Sequence, residues 1–435
     1  MRKSVNITVN DKDIKSRLLA WAQQYREIVF LDSNYYNQKY SSFDAVLAVD
    51  AFTSIKTDYH NAFEDLNTYQ QITGDWIFGY LSYDLKNDTE KLTSRNFDGL
   101  EFPDLYFFQP KKLFLLKNNN LKILYLSVCE DEMDYDLNEI INYKTEENND
   151  TIVGDITIKQ RISRHDYLDK AGQMLSHIYR GDIYEANFCM EFYAENAAIN
   201  TLHIYNDLNK ISEPPFAAYF KNYNHYLMCA SPERYIRKED GKIISQPIKG
   251  TARRSKDETE DSIIKDTLQH NEKERSENIM IVDLVRNDLS RTAAKATVDV
   301  EELCGAYTFK QVHHLISTVV SQIAEGHTPV DVIKAAFPMG SMTGAPKISA
   351  MHIIEKLEET KRGLYSGAIG YFTPQGDFDF NVVIRSILYN SDKKYLSFSV
   401  GSAITAKASP EQEYDECLLK AAAMFKVLSG NGNLQ

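Results

Sequence analysis

Stretches of alternating or continuous apolar residues dominate the first third of the chain and predict β-strands. The sequence KKLFLLKNNNLKILYLSV holds two apolar runs on either side of three asparagines at 118–120, which is typical of a β-hairpin. A further apolar run, DWIFGYLSYDL, predicts another strand in the same part of the chain. The polar, turn-rich sequence YKTEENNDTIVGD at 143–155 then indicates a linker or a long loop. We therefore expect a sheet-rich region over residues 1–150, in which no catalytic constellation is found.

Beyond this linker the pattern changes to that of a helix and then back to that of a strand. Ser163 is placed to cap a helix that ends at Gly181, since serine favours the start of a helix and glycine its end. The next stretch, YEANFCMEF at 184–192, alternates apolar with polar residues. This alternation predicts a half-buried strand with one polar face, and Glu185 belongs to that face.

The stretch HYLMCASPERYIRKEDGKIISQPIKGT at 225–251 is typical of two strands around a central turn, which brings Glu233 back toward Lys249. A two-residue loop would pair Glu233 with Ile248. A three-residue loop with Gly241 in the left-handed conformation would instead pair it with Lys249. The sequence does not choose between these registers, but in either one the carboxylate and the lysine are neighbours.

Lys249 stands in an unusual local sequence, PIKGTARR, between a stiff Pro-Ile pair and a glycine. A solvated lysine at a turn is the simplest interpretation. The alternative is a lysine held still by its flanking backbone, so that it can act as a nucleophile or as a point charge on a small molecule. Arg385 offers a second cation, because FNVVIRSI places it in an apolar strand. There an unpaired guanidinium would be costly, so we expect it to pair with an anion.

Two helical segments each place a pair of glutamates on one face. DETEDSIIKDTLQHNEKERSENIMIVDLVRNDL has helical periodicity without glycine or proline, and its Glu274 and Glu277 lie three residues apart. Near the C-terminus, SPEQEYDECLLKAAAMFKVL opens with Ser409 as N-cap, Pro410 at the first helical position and Gln412 completing a capping box. The residues of this second helix that share one face are Glu413, Glu416 and Lys420.

Paired glutamates from two helices suit a hard divalent cation, because Mg²⁺ is usually held by one or two carboxylates with waters and a ligand anion. Two solvated acidic faces with ion pairs between successive turns are the alternative. The glycine-rich turn GSMTGAPK leads into a helix and offers backbone N–H groups to an anion, but its spacing is not that of a P-loop. His313 and His314 lack metal-ligand spacing and are interpreted as structural.

The amino-acid composition limits the kinds of molecule that we expect the protein to bind. The chain has 435 residues, of which 43% are hydrophobic and 26% charged, with a net charge of −13 and a sequence pI of about 5.3. This acidic balance argues against nucleic acid or an anionic membrane, while a local basic pocket stays compatible with an anionic substrate. Five cysteines without C-x-x-C spacing indicate neither a disulfide framework nor a zinc site. Without a signal peptide or a long apolar run, we expect a cytoplasmic protein of two or three domains, or of one large domain.

Taken together, these motifs closely resemble those of the chorismate-utilising enzymes, namely anthranilate synthase component I, aminodeoxychorismate synthase component I, isochorismate synthase and salicylate synthase. The similarity runs from about Asp155 to Lys426 through GDIYEANF, SPE, PIKGT, ENIMIVDLVRND, GSMTGAPK, GLYSGAIGY, VVIRS, GSAI and EYDECLLKA. It implies an α+β fold with large antiparallel β-sheets flanked by helices, and a chorismate-binding catalytic domain at 155–430. The first 150 residues match weakly, although FLDSNYY is similar to a segment that contributes to a tryptophan pocket in some members.

The resemblance gives Lys249 a specific role. Anthranilate synthases carry alanine at the centre of the P-I-x-G-T motif, whereas lysine there marks aminodeoxychorismate synthase component I and is its covalent nucleophile. The implied reaction is attack of Lys249 on C2 of chorismate while the C4 hydroxyl leaves, with Glu233 as general acid. Ammonia then adds at C4 and expels the lysine, giving 4-amino-4-deoxychorismate for para-aminobenzoate and folate synthesis. The chain would thus be an amino-group transferase of the transaminase type.

The resemblance also implies a set of binding residues. Glu277 and Glu416 would hold Mg²⁺ against the ring carboxylate of chorismate, with Glu274 and Glu413 ordering its waters. Arg385 and Tyr365 would bind the enolpyruvyl carboxylate. The remaining substrate-binding positions are Gly250, Thr251, His314, Gly401, Ser402, Ala403 and Lys420.

Two positions depart from the family pattern. Isochorismate and salicylate synthases have a water-activating lysine where this chain has Glu185, which argues against those activities, and the amine-forming members more often have glutamine. The usual G-x-G before the last helix ends here in Ala403, whose methyl group would crowd the pocket. Anthranilate synthase component I and a catalytically inactive chorismate-binding regulatory subunit are the alternative functions. The second alternative gives no reason for the chain to retain Glu233, Lys249, Glu277, Arg385 and Glu416.

No part of the chain is typical of a glutamine amidotransferase. None of its cysteines lies in a Gly-x-Cys-x-Gly nucleophile turn, and without such a thiol the chain cannot release ammonia from glutamine. The family similarity and the N-terminal region together use nearly all of the 435 residues. We therefore expect ammonia to come from a separate glutamine amidotransferase subunit.

Overall fold

Antiparallel strands and amphipathic helices alternate along this protein, in a computed structural model that describes residues 2–36, 38–144 and 156–428. The strands within these residues are, in chain order, β1 (Arg2–Thr8), β2 (Glu27–Asp32), β3 (Ala45–Thr57), β4 (Ile77–Leu81), β5 (Leu105–Lys117), β6 (Asn120–Leu126), β7 (Lys159–Gln160), β8 (Glu185–Ala194), β9 (Phe216–Asn222), β10 (His225–Ser231), β11 (Arg234–Glu239), β12 (Lys242–Gln246), β13 (Ile248–Arg253), β14 (Asp299–Thr308), β15 (Val312–Gln322), β16 (Gly344–Ala345), β17 (Ala368–Phe372), β18 (Phe378–Val382), β19 (Ser386–Asn390) and β20 (Tyr395–Thr405).

The helices within the same residues are α1 (Ile14–Ala22), α2 (Ala62–Thr73), α3 (Lys86–Thr89), α4 (Met133–Asn142), α5 (Arg164–Arg180), α6 (Thr201–Ser212), α7 (Glu258–His270), α8 (Glu272–Ser290), α9 (Pro329–Ala336), α10 (Lys347–Leu357) and α11 (Pro410–Leu428).

One antiparallel ladder connects most of these strands. Its order is β8-β20-β19-β10-β9-β2-β3-β5-β4-β17-β18-β11-β12-β15. The N-terminal strands β2, β3, β5 and β4 lie in the middle of this order, with later strands on both sides. The predicted sheet-rich region at 1–150 and the segment at 155–430 therefore share one sheet.

Three hydrophobic cores arrange the sheet and helices in four layers. The first lies between the half of the sheet around β2, β8, β10 and β20 and the helices α1, α5, α6, α10 and α11. The second lies between the half around β4, β11, β15 and β17 and the helices α2, α8 and α9. The third lies between the two halves of the sheet. Helices thus flank a double sheet, which confirms the predicted α+β class and its antiparallel sheets.

Local sequence signals that act within a few residues are confirmed by the structure. Asn118 and Asn119 both have positive φ, as the tight turn between β5 and β6 requires. Ser163 caps α5 in a reciprocal capping box, and Gly181 ends that helix in the left-handed conformation. Helix α11 begins at Pro410 as predicted.

The helical segment at 257–289 is broken, although it contains neither glycine nor proline. Asn271 has extended backbone dihedrals and separates α7 from α8. Its side-chain oxygen accepts a hydrogen bond from the N–H of Glu274 at 3.1 Å, so it acts as the N-cap of α8. Asparagine favours caps over helix interiors because its short amide competes for backbone groups. The break sets the direction of α8, on which Glu274 and Glu277 lie.

Strand β8 is buried on both faces, which corrects the prediction of a half-buried strand. Glu185, Asn187 and Glu191 on its polar face are 2%, 8% and 5% exposed. Strand β20 pairs with β8 along its whole length, and Arg161 covers the carboxylate of Glu191 at 3.0 Å. The polar face therefore points into the protein, where its groups need partners.

Most of the predicted linker, residues 145–155, lies outside the described residues. Among the residues that the structure does describe, no helix combines the length and apolar character needed to cross a bilayer.

Candidate active site

Lys249 lies near the start of β13, where the backbone is fixed from two directions. Strand β13 pairs with β15, and Asn278 on α8 donates a hydrogen bond from Nδ2 to the carbonyl oxygen of Lys249 at 3.1 Å. Gly250 follows with a φ of +98°, a conformation that glycine adopts without strain. A Cβ atom there would lie 3.2 Å from Oε2 of Glu274, so this glycine also lets the carboxylate approach the backbone.

The side chain of Lys249 is 15% exposed, and its Nζ lies 3.9 Å from Oε2 of Glu185. Burial lowers the pKa of Lys249, but the negative charges of Glu185, Glu277 and Glu416 outweigh burial and raise it above its usual value. The lysine is therefore a charged ammonium when the site is empty of substrate. Carboxylates from β8, α8 and α11 surround its ammonium group.

Glu233 lies in the short connection between β10 and β11 and is 3% exposed. Its Oε1 accepts a hydrogen bond from the hydroxyl of Ser341 at 2.7 Å. Burial raises its pKa to about 7, against the hydrogen bonds from Ser341 and from the N–H of Ile248. A carboxyl group with this pKa holds a proton near neutral pH, as a general acid must.

The turn after β11 has two residues, Asp240 and Gly241, because Glu239 pairs with Lys242. A bulge between Arg234 and Arg237 then shifts the register by one residue. The two-residue turn is the first of the two predicted, but the bulge carries the ladder away from both predicted pairings of Glu233. The Glu233 carboxylate still contacts the N–H of Ile248.

Arg385 lies in the connection between β18 and β19 with a φ of +50°, which corrects its predicted place within a strand. Burial lowers its pKa to about 10, and the nearby Glu233 opposes this effect. Its Nη2 lies 3.3 Å from Nε2 of His314. The backbone turn directs the guanidinium toward the site, since a residue in the extended strand would point to one face of the sheet, into a hydrophobic core.

His314 on β15 links Arg385 to the strand that carries Lys249. It is 2% exposed, and burial together with the charge of Arg385 holds its pKa well below the usual value. A neutral imidazole accepts from Arg385 at Nε2, so Nδ1 carries the proton toward Thr251 Oγ1 at 2.9 Å or the Gly250 carbonyl at 3.4 Å. The interpretation of His314 as purely structural gives way to a position in the site.

The end of β20 and helix α11 line the other side of the site. Nζ of Lys420 donates a hydrogen bond to the carbonyl oxygen of Gly401 at 2.9 Å and lies 2.7 Å from Oε1 of Glu416. The hydroxyl of Ser402 donates to Glu413 in a very short contact. Ala403 pairs with Asn187 of β8.

Tyr365 is 4% exposed and lies beside the thiol of Cys189 on β8, the strand that pairs with β20. Burial holds the pKa of its hydroxyl well above the usual value. Gly401 is opposite the same cysteine, where an added Cβ would lie 2.6 Å from Sγ. Tyr365 therefore packs against the strand that carries Glu185.

The four glutamates predicted on two helices converge on one region. Burial raises the pKa of Glu274, and the charges of Glu277 and Glu416 raise it further. Burial also raises the pKa values of Glu277 and Glu413, to which Glu416 again contributes. Burial would raise the pKa of Glu416 as well, but Lys420 reverses the direction. Glutamates on α8 and α11 thus act on one another across the site. Glu416 is also 46% exposed and pairs with Lys420 one turn along α11, and Glu277 lies 4.0 Å from Lys273, so the ion pairs of the alternative interpretation are present as well.

These glutamates fit a magnesium ion, although no trio of His, Cys, Asp or Glu side chains in the described part of the chain is arranged to hold a metal by itself. Mg²⁺ needs only one or two protein carboxylates when waters and a ligand anion complete its coordination. The mutual repulsion among Glu274, Glu277 and Glu416 is the charge surplus that a divalent cation between them would neutralise.

The FLDSNYY segment lies at a different cavity. Tyr36 and Tyr40 line a space of about 500 Å³ together with Phe216, Gln246 and Phe309. Arg234 also borders this cavity, and it follows Glu233 directly in the chain. The cavity borders the site through the β10–β11 connection and through Phe309, whose ring lies 5.4 Å from that of His314.

Sequence reasoning missed two residues of the site and one contact. Ser341, which bonds the acid Glu233, belongs to GSMTGAPK, where only the backbone had been considered. Asn278, which fixes the backbone of Lys249, belongs to ENIMIVDLVRND. Glu185 was recognised as a departure, but its closeness to Lys249 was not. The motifs themselves were the available signal for the first two residues.

Comparison with known proteins agrees with this arrangement. Residues 26–426 match the chorismate binding enzyme family. The chain is 34% identical over 358 residues to an anthranilate synthase component I-like protein of Synechocystis sp., covering 82% of this chain and 73% of that one. It is 30% identical over 390 residues to aminodeoxychorismate synthase component 1 of Bacillus subtilis, covering 87% and 80% respectively.

The fold is also that of a solved structure. Anthranilate synthase component I from Streptococcus pneumoniae superimposes with a TM-score of 0.77 at 24% sequence identity, over 90% of this chain and 94% of that one. The family match covers most of the chain and includes all of the residues placed in the site above. The chain therefore belongs to the chorismate binding enzyme family.

Proposed function

We propose that this chain is component I of an aminodeoxychorismate synthase, an amino-group transferase that replaces the C4 hydroxyl of chorismate with an amino group. The observation that carries the proposal is Lys249, a half-buried amine in the same site as the buried acid Glu233. Direct addition of ammonia to chorismate requires no amine on the protein, whereas a covalent route does. The name of the Bacillus subtilis relative supports this choice.

In the proposed reaction, neutral Lys249 attacks C2 of the chorismate ring. The ring double bonds shift, the C4–O bond breaks, and Glu233 supplies the proton with which the hydroxyl leaves as water. Ammonia then attacks C4, the double bonds shift back, and the C2–N bond to Lys249 breaks. The new C4 ammonium group gives one proton back to the Glu233 carboxylate, which restores the acid. The raised pKa of Glu233, about 7, supports its role as the acid of the first half.

The remaining groups supply binding. Arg385, oriented by His314, binds the carboxylate of the enolpyruvyl group, because a guanidinium pairs with a carboxylate through two parallel hydrogen bonds. Glu274, Glu277, Glu413 and Glu416 would hold Mg²⁺. The ion would supply positive charge for the ring carboxylate, which otherwise meets a wall of glutamates.

Product identification tests the proposal. The purified chain is incubated with chorismate, an ammonium salt and Mg²⁺, and the products are separated and identified by mass. We expect 4-amino-4-deoxychorismate, which retains the enolpyruvyl group, and no release of pyruvate. Formation of 2-aminobenzoate with pyruvate would assign the chain to the anthranilate synthases instead. Absence of any turnover would favour an inactive chorismate-binding subunit.

Magnesium dependence is predicted from the glutamates on α8 and α11. Chelation is expected to stop turnover, and Glu277→Gln and Glu416→Gln are each expected to weaken Mg²⁺ binding by about 10- to 100-fold, since each removes one charge of the set. Calorimetric titration of Mg²⁺ into the protein with chorismate present measures this directly. Glu272→Gln, on the exposed start of α8, is the matched control and should bind normally. Full activity in excess chelator would remove the metal from the proposal.

A separate glutamine amidotransferase is predicted as the source of ammonia. All five cysteines are buried, so none in this chain presents an accessible nucleophile to glutamine. We expect the purified chain to consume chorismate with ammonium salts but not with glutamine as the only nitrogen source. Addition of an amidotransferase subunit should restore use of glutamine. Sustained turnover of glutamine by the chain alone, with contaminating amidotransferase excluded, would contradict the two-subunit arrangement.

A further inference from the structure

Glu185 presents a buried carboxylate oxygen that has no hydrogen-bond partner. The residue begins β8, and its backbone is held between Ala345 of β16 and Thr405 of β20. The side chain is 2% exposed, and within the described residues Oε2 finds no donor. Buried charged oxygens without donors are rare in folded proteins, because desolvation is not compensated. Such an oxygen points to a function during the reaction.

The same oxygen is the protein atom that lies 3.9 Å from Nζ of Lys249. This distance exceeds the 2.7–2.9 Å of a charge-assisted hydrogen bond by about 1 Å, so the two groups are close but do not form a hydrogen bond. A small shift of the lysine side chain, which has four rotatable bonds, closes the gap.

Lys249 cannot attack in its resting state, because only the neutral amine has a free electron pair. The charged groups that act on it come from β8, α8, α11 and the β10–β11 connection, and they are Glu185, Glu274, Glu277, Glu413, Glu416 and Glu233. The four glutamates of α8 and α11 are proposed to hold the cation, and Glu233 must give a proton rather than take one. Glu185 is the carboxylate of this set that is left to act as base.

We propose that Glu185 removes the proton from the Lys249 ammonium group when chorismate enters the site. This inference rests on the proposed covalent function of Lys249. The proton passes from Nζ to Oε2, and the freed electron pair forms the bond to C2 while the C4–O bond breaks. When ammonia later expels the lysine as a neutral amine, the proton returns from Glu185 to Nζ. Glu185 therefore ends each turnover as a carboxylate.

The family alternatives at this position cannot perform the same step. Glutamine has no basic atom, and a second lysine would repel the ammonium group. Glu185 would thus give this chain a route to the neutral nucleophile that does not depend on solvent. That solvent route is restricted, since the Lys249 side chain is only 15% exposed.

Glu185→Gln tests the proposal, because it keeps the size of the side chain and removes the base. Wild type and variant are mixed with chorismate without ammonia, quenched at intervals and weighed as intact proteins. We expect the wild type to gain the mass of chorismate less one water, and the variant to do so about 10²-fold more slowly, as for the loss of a general base. The equilibrium affinity for chorismate should stay within about twofold, whereas a merely structural role would change both.

Chemical rescue separates a missing base from a disturbed fold. Glu185→Ala leaves a space beside Lys249, and added formate should restore a large part of its rate of adduct formation. Formate should not help Glu185→Gln, in which the amide fills that space. Glu191→Gln is the matched control, since Glu191 lies on the same buried face of β8 but is bound to Arg161 and Ser397, and its adduct should form at the wild-type rate.

The possible failures are distinguishable. No adduct on the wild type would overturn the covalent function of Lys249 and this inference with it. A wild-type adduct that Glu185→Gln forms equally fast would overturn the role of Glu185 alone. A folded Glu185→Ala protein that formate does not rescue would do the same.

Discussion

Replacing Lys249 with alanine is expected to lower the rate of chorismate amination by about 10³-fold or more, because removal of a covalent nucleophile abolishes the two-step route. Some turnover should remain if ammonia attacks chorismate directly in the intact site. Steady-state formation of 4-amino-4-deoxychorismate with ammonium salt measures the loss. Intact mass after incubation with chorismate alone provides the sharper measurement, because the variant should gain no mass at all.

Lys238→Ala is a matched control for this prediction. Lys238 lies on β11, 11 positions before Lys249 in the chain, where its ammonium group pairs with Asp377 at 2.7 Å. Loss of this lysine removes the same charge without touching the site, and both activity and adduct should persist. The covalent role of Lys249 would be contradicted by a wild-type protein that turns over chorismate yet never shows the adduct.

Replacing Glu233 with glutamine is expected to lower the rate by about 10²- to 10⁴-fold, the usual range for loss of a general acid. Glutamine matches glutamate in size and can still accept the hydrogen bond from Ser341, so chorismate binding should change little. The measurement is kcat together with the dissociation constant of chorismate. A variant that loses affinity rather than kcat would place Glu233 in binding and not in proton transfer.

The pH profile identifies the acid independently. Glu233 must be protonated to act and its pKa is raised to about 7, so kcat/KM should fall as the pH rises above 7. The Ser341 hydroxyl stabilises the carboxylate form, so Ser341→Ala should raise the pKa further and move the fall to higher pH. Ser397→Ala removes an equal 2.7 Å hydrogen bond from Glu191 instead, and it should leave the profile unchanged. A Ser341→Ala profile that moves to lower pH would be inconsistent with Glu233 as the acid.

The elements of the fold were predicted best where the determining interactions are local. The hairpin at Asn118 and Asn119 needs only two residues that tolerate positive φ. Helix α5 needs only its own capping box and a glycine at its end. The break at Asn271 was not predicted, because an asparagine in a polar segment is compatible with a surface helix as well as with a cap.

The sequence predicted which residues belong to the candidate site, but not which of them are in contact. Resemblance to the family named Lys249, Glu233 and Arg385 by their motifs. It did not give the distance from Lys249 to Glu185. These two residues are 64 positions apart in the chain, and they are close only because the fold brings β8 and β13 together. Nor did it give the burial that raises the pKa of Glu233.

By itself, the sequence determined the presence of strands and helices through periodicity, and the turns and helix caps through backbone preferences of single residues. Its motifs determined the residue types available for chemistry and, through their resemblance to the family, the α+β class. All of these signals act over short distances along the chain. Only the tertiary structure decided that β8 is buried on both faces, that α8 and α11 bring their glutamates together, and that an oxygen of Glu185 faces Lys249 without a donor. Burial and charge proximity depend on which distant segments pack together, and that packing fixes the protonation of each group in the site.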